Sequence, residues 1–196
     1  NHNFKKFKNI VQNRVPKQPE ELWVSDITYL KLNGKNAYLA LVTDAYSKQI
    51  MGFNVATNMK ASLSIEALKM ALKNRKYPKR KLIHHSDRGF HYCWPEYVKT
   101  LQDNEILISM TEQYDPYENA LAERINKTIK YEFGLNQTIP NKTIATKMIR
   151  RAVKIYNTLR PHDSLKGRTP LSVHLNADIP YKSYRRNKEI IYLNLN

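Results

Sequence analysis

Residues 22–32 read LWVSDITYLKL, residues 33–35 read NGK, and residues 37–46 read AYLALVTDAY. In the first run, β-formers alternate with polar residues, which is the two-residue period of a half-buried strand. Asn33-Gly34 is a tight-hairpin signal, because both residues tolerate the positive φ such turns demand. A second strand follows, and KQIMGFNVAT (residues 48–57) reads as a third. Three strands joined by short turns make an antiparallel meander.

Beyond the meander the period changes. SLSIEALKMALKNRK (62–76) sets Leu63, Ala67, Met70 and Ala71 at helical spacing. KLIHHS (81–86) is a short buried strand, and WPEYVKTLQDN (94–104) is a helix with Pro95 in its first turn. ILISMT (106–111) is another strand, and EQYDPYEN (112–119) is a polar loop. NALAERINKTIKYEF (119–133) is a helix whose apolar stripe is Leu121, Ala122, Ile125, Ile129 and Phe133, and a further helix covers about residues 142–159. The order βββαβαβαα predicts an α/β fold: a five-stranded mixed sheet, meander plus parallel strands, flanked by helices. Residues 1–20 are polar and basic, with Pro16 and Pro19, and read as a linker or arm. Residues 21–176 form the core domain, and residues 177–196 are a basic C-terminal tail.

Composition narrows the function. The chain has 196 residues, enough for one domain, and 41% are hydrophobic, enough to bury a core. No apolar run approaches the ~18 residues of a membrane span. One cysteine, Cys93, excludes an internal disulfide and a Cys-x-x-Cys zinc site, and fits a reducing cytoplasm. The chain begins at Asn1 rather than Met, so a fragment of a longer protein is expected. Lysine and arginine number 33 against 17 acids, a net charge of +16. That excess costs self-repulsion unless a polyanion relieves it, and nucleic acid is the first candidate. An anionic membrane surface is second, but no segment reads as a basic amphipathic anchor.

Three acids then stand out. Asp26 lies inside the first strand, on the face of Leu22, Val24, Thr28 and Leu30, where a carboxylate is expensive unless paired. Taken alone it also reads as a strand aspartate bonded to backbone amides. Asp87 follows the KLIHH strand, beyond whose carboxyl end ligands collect in open α/β sheets. Alone it reads equally as an Asp turn, with Gly89 supplying positive φ. Glu123 lies on a helix face with Asn119, Lys127 and Lys130, a pattern that periodicity assigns to solvent. Asp44, in VTDAYS, reads as structural or as a support to the site. His84 and His85 end a buried strand and read as structural.

Spacing and local strings change these readings. Sixty residues separate Asp26 from Asp87, and 35 separate Asp87 from Glu123. WVSDITYL, HHSDRGFHY, SMTEQYDPYENALAERINKTIKYE and YNTLRPHDSLKGRTPLSV occur in that order. Together they resemble the catalytic subunit of bacterial insertion-sequence transposases of the IS-three family, within the DDE transposase and retroviral-type integrase superfamily. The resemblance covers about Leu22 to Val173. One departure is local: the family usually reads Asp-Asn-Ala before its glutamate, and here it is Glu118-Asn119-Ala120. Glu118 is the weaker candidate for the third acid.

The resemblance implies a ribonuclease H-like fold with Asp26, Asp87 and Glu123 as catalytic residues and metal ligands. Converging carboxylates suit two Mg²⁺ ions, with Mn²⁺ as a substitute, and not zinc. It implies metal-dependent DNA cleavage and strand transfer at terminal inverted repeats, through a circular intermediate, by a homo-oligomer that pairs two ends. It also implies a helix-turn-helix region upstream and a bacterial, nucleoid-associated location. Lys127 and Lys130, one and two turns beyond Glu123, are candidate DNA contacts, as are Arg88, Arg160 and His162. Further basic clusters, at residues 73–81, at Lys147, Arg150, Arg151 and Lys154, and at Lys182, Arg185, Arg186 and Lys188, serve phosphates or solvation. The alternatives are a ribonuclease H-like nuclease that cleaves without joining, and a non-catalytic DNA-binding remnant.

Overall fold

The computed structural model describes residues 3–12, 14–112, 119–181 and 191–195. Seven strands and six helices appear among them, in the order β1 (Arg14–Val15), β2 (Leu22–Leu32), β3 (Lys35–Asp44), β4 (Ile50–Ala56), α1 (Ser62–Lys73), β5 (Ile83–Ser86), α2 (Phe90–Cys93), α3 (Pro95–Asp103), β6 (Leu107–Met110), α4 (Ala120–Glu132), α5 (Lys142–Thr158), α6 (Pro170–Asn176) and β7 (Ile191–Tyr192). A single 3₁₀ turn, Asp163–Leu165, lies between α5 and α6.

The main sheet has the order β4-β3-β2-β5-β6. β2, β3 and β4 pair antiparallel, whereas β5 and β6 join parallel to β2. The expected mixed five-stranded sheet is therefore present. Gly34 turns the first hairpin at φ 69°, a conformation that glycine adopts without steric cost. Pro95 occupies the first turn of α3, where its missing N–H is not needed.

The pleat of β2 divides its side chains between two cores. Trp23 points to one, with Val42, Met51, Leu68, Tyr97 and Leu101 from β3, β4, α1 and α3. Leu30 and Leu32 point to the other, with Leu39, Ile125, Ile129, Ile149 and Tyr156 from β3, α4 and α5. Asp26 belongs to this second face, beneath α4. α1 lies directly on β4 because Gly52 has no side chain: a Cβ there would sit 2.1 Å from the Ala67 carbonyl oxygen.

Several features depart from the sequence reading. α2, α6 and the 3₁₀ turn are short and fall in stretches without a full helical period. Residues within 1–20 do more than link: Arg14–Val15 pair parallel with Ile191–Tyr192, and Leu193 is buried against Leu22, Val24 and Ile83. The segment beyond residue 176 thus returns to the core at its end. Lys182, Arg185, Arg186, Lys188 and Glu118 lie outside the described residues.

Candidate active site

β2 carries Asp26 at the centre of the sheet, and β5 ends at Ser86, one residue before Asp87. The parallel register pairs Trp23 with His84 and Val24 with His85. The two strands run side by side toward Asp26 on β2 and Asp87 just past the end of β5. Asp26 is half-buried and Asp87 is exposed.

α4 brings Glu123, and two asparagines hold that helix to β2. Asn119, at its N-cap, donates to the Ser25 carbonyl at 3.1 Å. Asn126 donates from Nδ2 to Asp26 Oδ2 at 2.8 Å. The two are seven residues apart, so they stand two turns apart on one face, and Glu123 projects between them. This face is not simply solvated, as periodicity alone assigns it: Asn119 and Asn126 are buried, whereas Glu123 and Lys127 are exposed.

The turn after β5 corrects a further expectation. Gly89 donates its N–H to Asp87 Oδ1 at 2.8 Å, so an Asp turn does form. Gly89 has φ −62°, however, and not a positive φ. The glycine is required by close approach: a Cβ there would lie 2.7 Å from Asp87 Oδ1.

The electrostatics are those of carboxylates set against one another. Burial raises the pKa of Asp26 to about 6; the hydrogen bonds from Asn126 and the Ile27 amide oppose this, and the charges of Asp87 and Glu123 add to it. Among the described residues, no group of three or more His, Cys, Asp or Glu side chains is arranged to hold a metal ion. One oxygen of Asp87 is turned to Gly89 and one of Asp26 to Asn126. The donor chemistry itself, three hard carboxylates from separate elements, fits a hard divalent cation.

Around the acids the packing is apolar or neutral. His84 is fully buried, its Nε2 2.8 Å from Ser25 Oγ and 2.9 Å from the Tyr97 hydroxyl, and burial lowers its pKa to about 3. His85 Nδ1 lies 2.9 Å from Ser109 Oγ. Both histidines therefore sit in the core as hydrogen-bonding groups. Tyr92 is a residue that sequence reading missed. Its buried hydroxyl has no hydrogen-bond partner among the described residues, and burial, with the Asp26, Tyr97 and Asp87 charges, pushes its pKa well up.

The candidate DNA contacts divide. Lys127 is exposed and Lys130 half-buried, both on the Glu123 side of α4. Arg88 reaches the Glu112 carbonyl at 3.5 Å. Arg160 instead grips Glu132, at the C-terminal end of α4, with two hydrogen bonds. His162 packs edge-on against Tyr156 with ring centroids 4.9 Å apart, and burial lowers its pKa to about 4. Arg160 and His162 line a cleft of about 390 Å³ with Leu121, Arg124, Ile125 and Thr128. Those α4 residues lie on the face opposite Glu123. In the 73–81 cluster, Arg75 and Arg80 hold internal partners: Arg75 pairs with Glu20, and Arg80 donates to the Pro19 carbonyl.

A model of the Integrase core domain matches residues 16–116, half of the chain, and a second Integrase core domain model matches residues 104–170. The chain belongs to the integrase core domain family. The relatives it resembles include transposases of insertion sequences, in line with the resemblance read from the four strings. It is 33% identical over 87% of its length to the insertion element IS600 uncharacterized 31 kDa protein of Shigella sonnei, of which 63% is covered. It is 37% identical over 63% of its length to a putative transposase for IS986/IS6110 of Mycobacterium tuberculosis, of which 46% is covered. Transposase InsF for insertion sequence IS3A of Escherichia coli is 33% identical over 78% of the chain, with 53% of that relative covered. The chain thus spans roughly half to two thirds of these relatives' lengths.

Solved structures show the fold of this integrase core to be ribonuclease H-like. The HTLV-2 integrase catalytic core domain in complex with magnesium superposes with a TM-score of 0.64 at 20% identity, covering 82% of this chain and 99% of that one. A chain of the simian T-cell lymphotropic virus intasome, in complex with PP2A regulatory subunit B56 gamma, gives 0.69 at 20% identity, covering 95% and 65%. No helix among the described residues of the integrase core is long and apolar enough to cross a membrane.

Proposed function

We propose that this integrase core is the catalytic part of an insertion-sequence transposase, cleaving DNA strands and joining the freed 3′-hydroxyl to another phosphodiester. One observation carries the reading: Asp26 lies on β2, Asp87 directly follows the adjacent strand β5, and the helix bearing Glu123 is bonded to Asp26 through Asn126. Asp26, Asp87 and Glu123 would hold Mg²⁺, or Mn²⁺ in its place, as two ions shared between the carboxylates, in keeping with the magnesium named for the HTLV-2 core. When bound, such cations supply charge neutralisation for the attacking and leaving oxygens of an in-line displacement.

The chain's own residues set up that chemistry. Asn126 fixes Oδ2 of Asp26 and so holds this carboxylate against α4. Gly89 fixes Oδ1 of Asp87 in the same way. Lys127 and Lys130 continue the Glu123 face of α4 and would seat the phosphate backbone, and Arg88 borders the Asp87 turn from the other side. The net charge of +16 supports a polyanionic partner, DNA, whose binding should weaken steeply with salt. Terminal inverted repeats as the specific substrate, and a homo-oligomer to bring two ends together, follow from the transposase relatives as part of this proposal.

The test is Mn²⁺-dependent nicking of supercoiled plasmid DNA, with products resolved on denaturing gels. Strands longer than the input establish joining. Nicks without joined strands would leave a ribonuclease H-like nuclease. Activity that survives Asp87→Asn would overturn the site.

A further inference from the structure

The stretch before β1 does not hang free of the domain. Asn9 donates its N–H to Glu112 Oε1 at 2.9 Å, and Ile10 donates to Ser109 Oγ at 3.1 Å. Met110 donates to the Lys8 carbonyl at 3.4 Å. These bonds run along β6, the outer strand of the sheet, whose unpaired edge would otherwise face water. Ser109 Oγ is also the partner of His85 Nδ1, so the bond from Ile10 reaches β5 two residues before Asp87.

A second set of contacts reaches the other side of Asp87. Phe4 packs on Phe90 and Trp94, with ring centroids 5.7 and 5.3 Å away, and Phe90 and Trp94 are themselves 5.0 Å apart. Phe90 follows Gly89, the residue whose N–H holds Asp87. Even with Phe4 in place, Phe90 is 38% exposed, so removing Phe4 would leave the aromatic surface largely to solvent. The same stretch brings charge: burial and Asp87 push the Cys93 thiol up, and Lys6 and Arg88 pull it back.

We propose that residues 3–12 form a strap that positions the Asp87 turn, with Phe4 as the positioning residue. The strap grips the turn on both flanks, through Ser109 and His85 before Asp87 and through Phe90 and Trp94 after it. Edge-on and tilted ring pairs attract one another beyond the area they bury. That attraction steadies a four-residue helix such as α2, which is too short to be stable by itself. Docking therefore selects the Asp87 orientation in which Oδ1 accepts from the Gly89 N–H, and undocking releases it. The inference rests on Asp87 as a metal ligand, but its structural half stands on the turn alone.

The experiment uses the full 196-residue chain, with Phe4→Ala and a conservative Phe4→Tyr. Amide hydrogen exchange at Gly89 reports the turn directly, since that N–H bonds Asp87. It should quicken about tenfold in Phe4→Ala, with α4 amides unchanged, and return in Phe4→Tyr. In plasmid nicking, the Mn²⁺ concentration for half-maximal rate should rise about tenfold in Phe4→Ala, while the rate at saturating Mn²⁺ stays within about twofold. Unchanged exchange at Gly89 overturns the strap whatever the activity. Faster exchange at Gly89 with unaltered metal dependence would make the strap structural only and overturn its role at the site. If the wild type neither binds Mn²⁺ nor nicks, the metal-ligand reading fails, and the Gly89 exchange alone decides the strap.

Discussion

Two clusters of acids in this molecule are built on opposite rules. One is the site at Asp26, Asp87 and Glu123. The other surrounds Glu20 and Asp44, behind the β3–β4 turn, and every acid in it is satisfied. Glu20 is fully buried and bonds Arg75, His174 and the Lys76 and Tyr77 amides. Asp44 is equally buried and accepts from the Glu20 and Ser47 amides and from the Ser47 hydroxyl. Lys48, at φ 65°, donates to the Ala45 carbonyl beside them. There the carboxylates meet cations and amides. At Asp26 the partners are neutral amides, and the nearby charges of Asp87 and Glu123 push its pKa further up. A buried charge that is fully paired serves the fold, whereas acids that raise one another's pKa suit the cation site proposed above.

The largest expected effect tests the second half of that contrast. Asp87→Asn should lower Mn²⁺-dependent nicking by at least about 10³-fold, or about 4 kcal/mol of barrier, with the melting temperature little changed. Glu20→Ala should do the reverse. It removes the carboxylate that Arg75 and His174 share in the core and should cost about 3–5 kcal/mol in urea denaturation. Equal losses of stability in the two variants would erase the distinction.

pH sharpens it further. Burial alone would lower the pKa of His174, but the bonds and charges of Asp44 and Glu20 raise it to about 9. A folded pKa above the unfolded 6.5 means the stabilisation is complete below pH 6.5 and fades as pH rises through about 9. Denaturation of the wild type from pH 6 to 10 should show a loss of about 2 kcal/mol that His174→Ala lacks. Asp26 should behave oppositely. Its pKa rises from 3.8 to about 6, so ionised Asp26 opposes folding, with the cost growing between those values and constant above. Metal-free Asp26→Asn should therefore be about 1 kcal/mol more stable than wild type at pH 7, and no more stable at pH 3.5. A destabilised Asp26→Asn would show that this carboxylate serves the fold as Asp44 does.

Much of the site is legible in the sequence because its signals are local. NGK gives away the meander, Pro95 the start of α3, and the order of four short strings the three acids. Asn126 escapes because periodicity on α4 sorts polar from apolar and cannot tell which polar residue faces a buried carboxylate. The strap escapes for a similar reason: NHNFKKFKNI carries no period, and its bonds to residues 109–112 span about 100 positions. Arg75 and Arg80 look like phosphate contacts in KNRKYPKRK, yet they are held by Glu20 and Pro19, more than 50 positions earlier in the chain. Gly89 reads as indispensable to a turn, which it is, but not for its φ, since a sequence does not display the approach of a side-chain oxygen.

The sequence by itself determined the order of strands and helices, the family, and three acids with the right spacing, since periodicity, turn chemistry and motif are properties of neighbours along the chain. Only the tertiary structure decided that Asp87 follows the strand beside Asp26, that Asn126 ties α4 to Asp26, and that Glu20 and Asp44 are fully hydrogen-bonded in the core. Those outcomes depend on strand register and on contacts between distant residues, where burial and charge are set by what arrives from elsewhere in the fold.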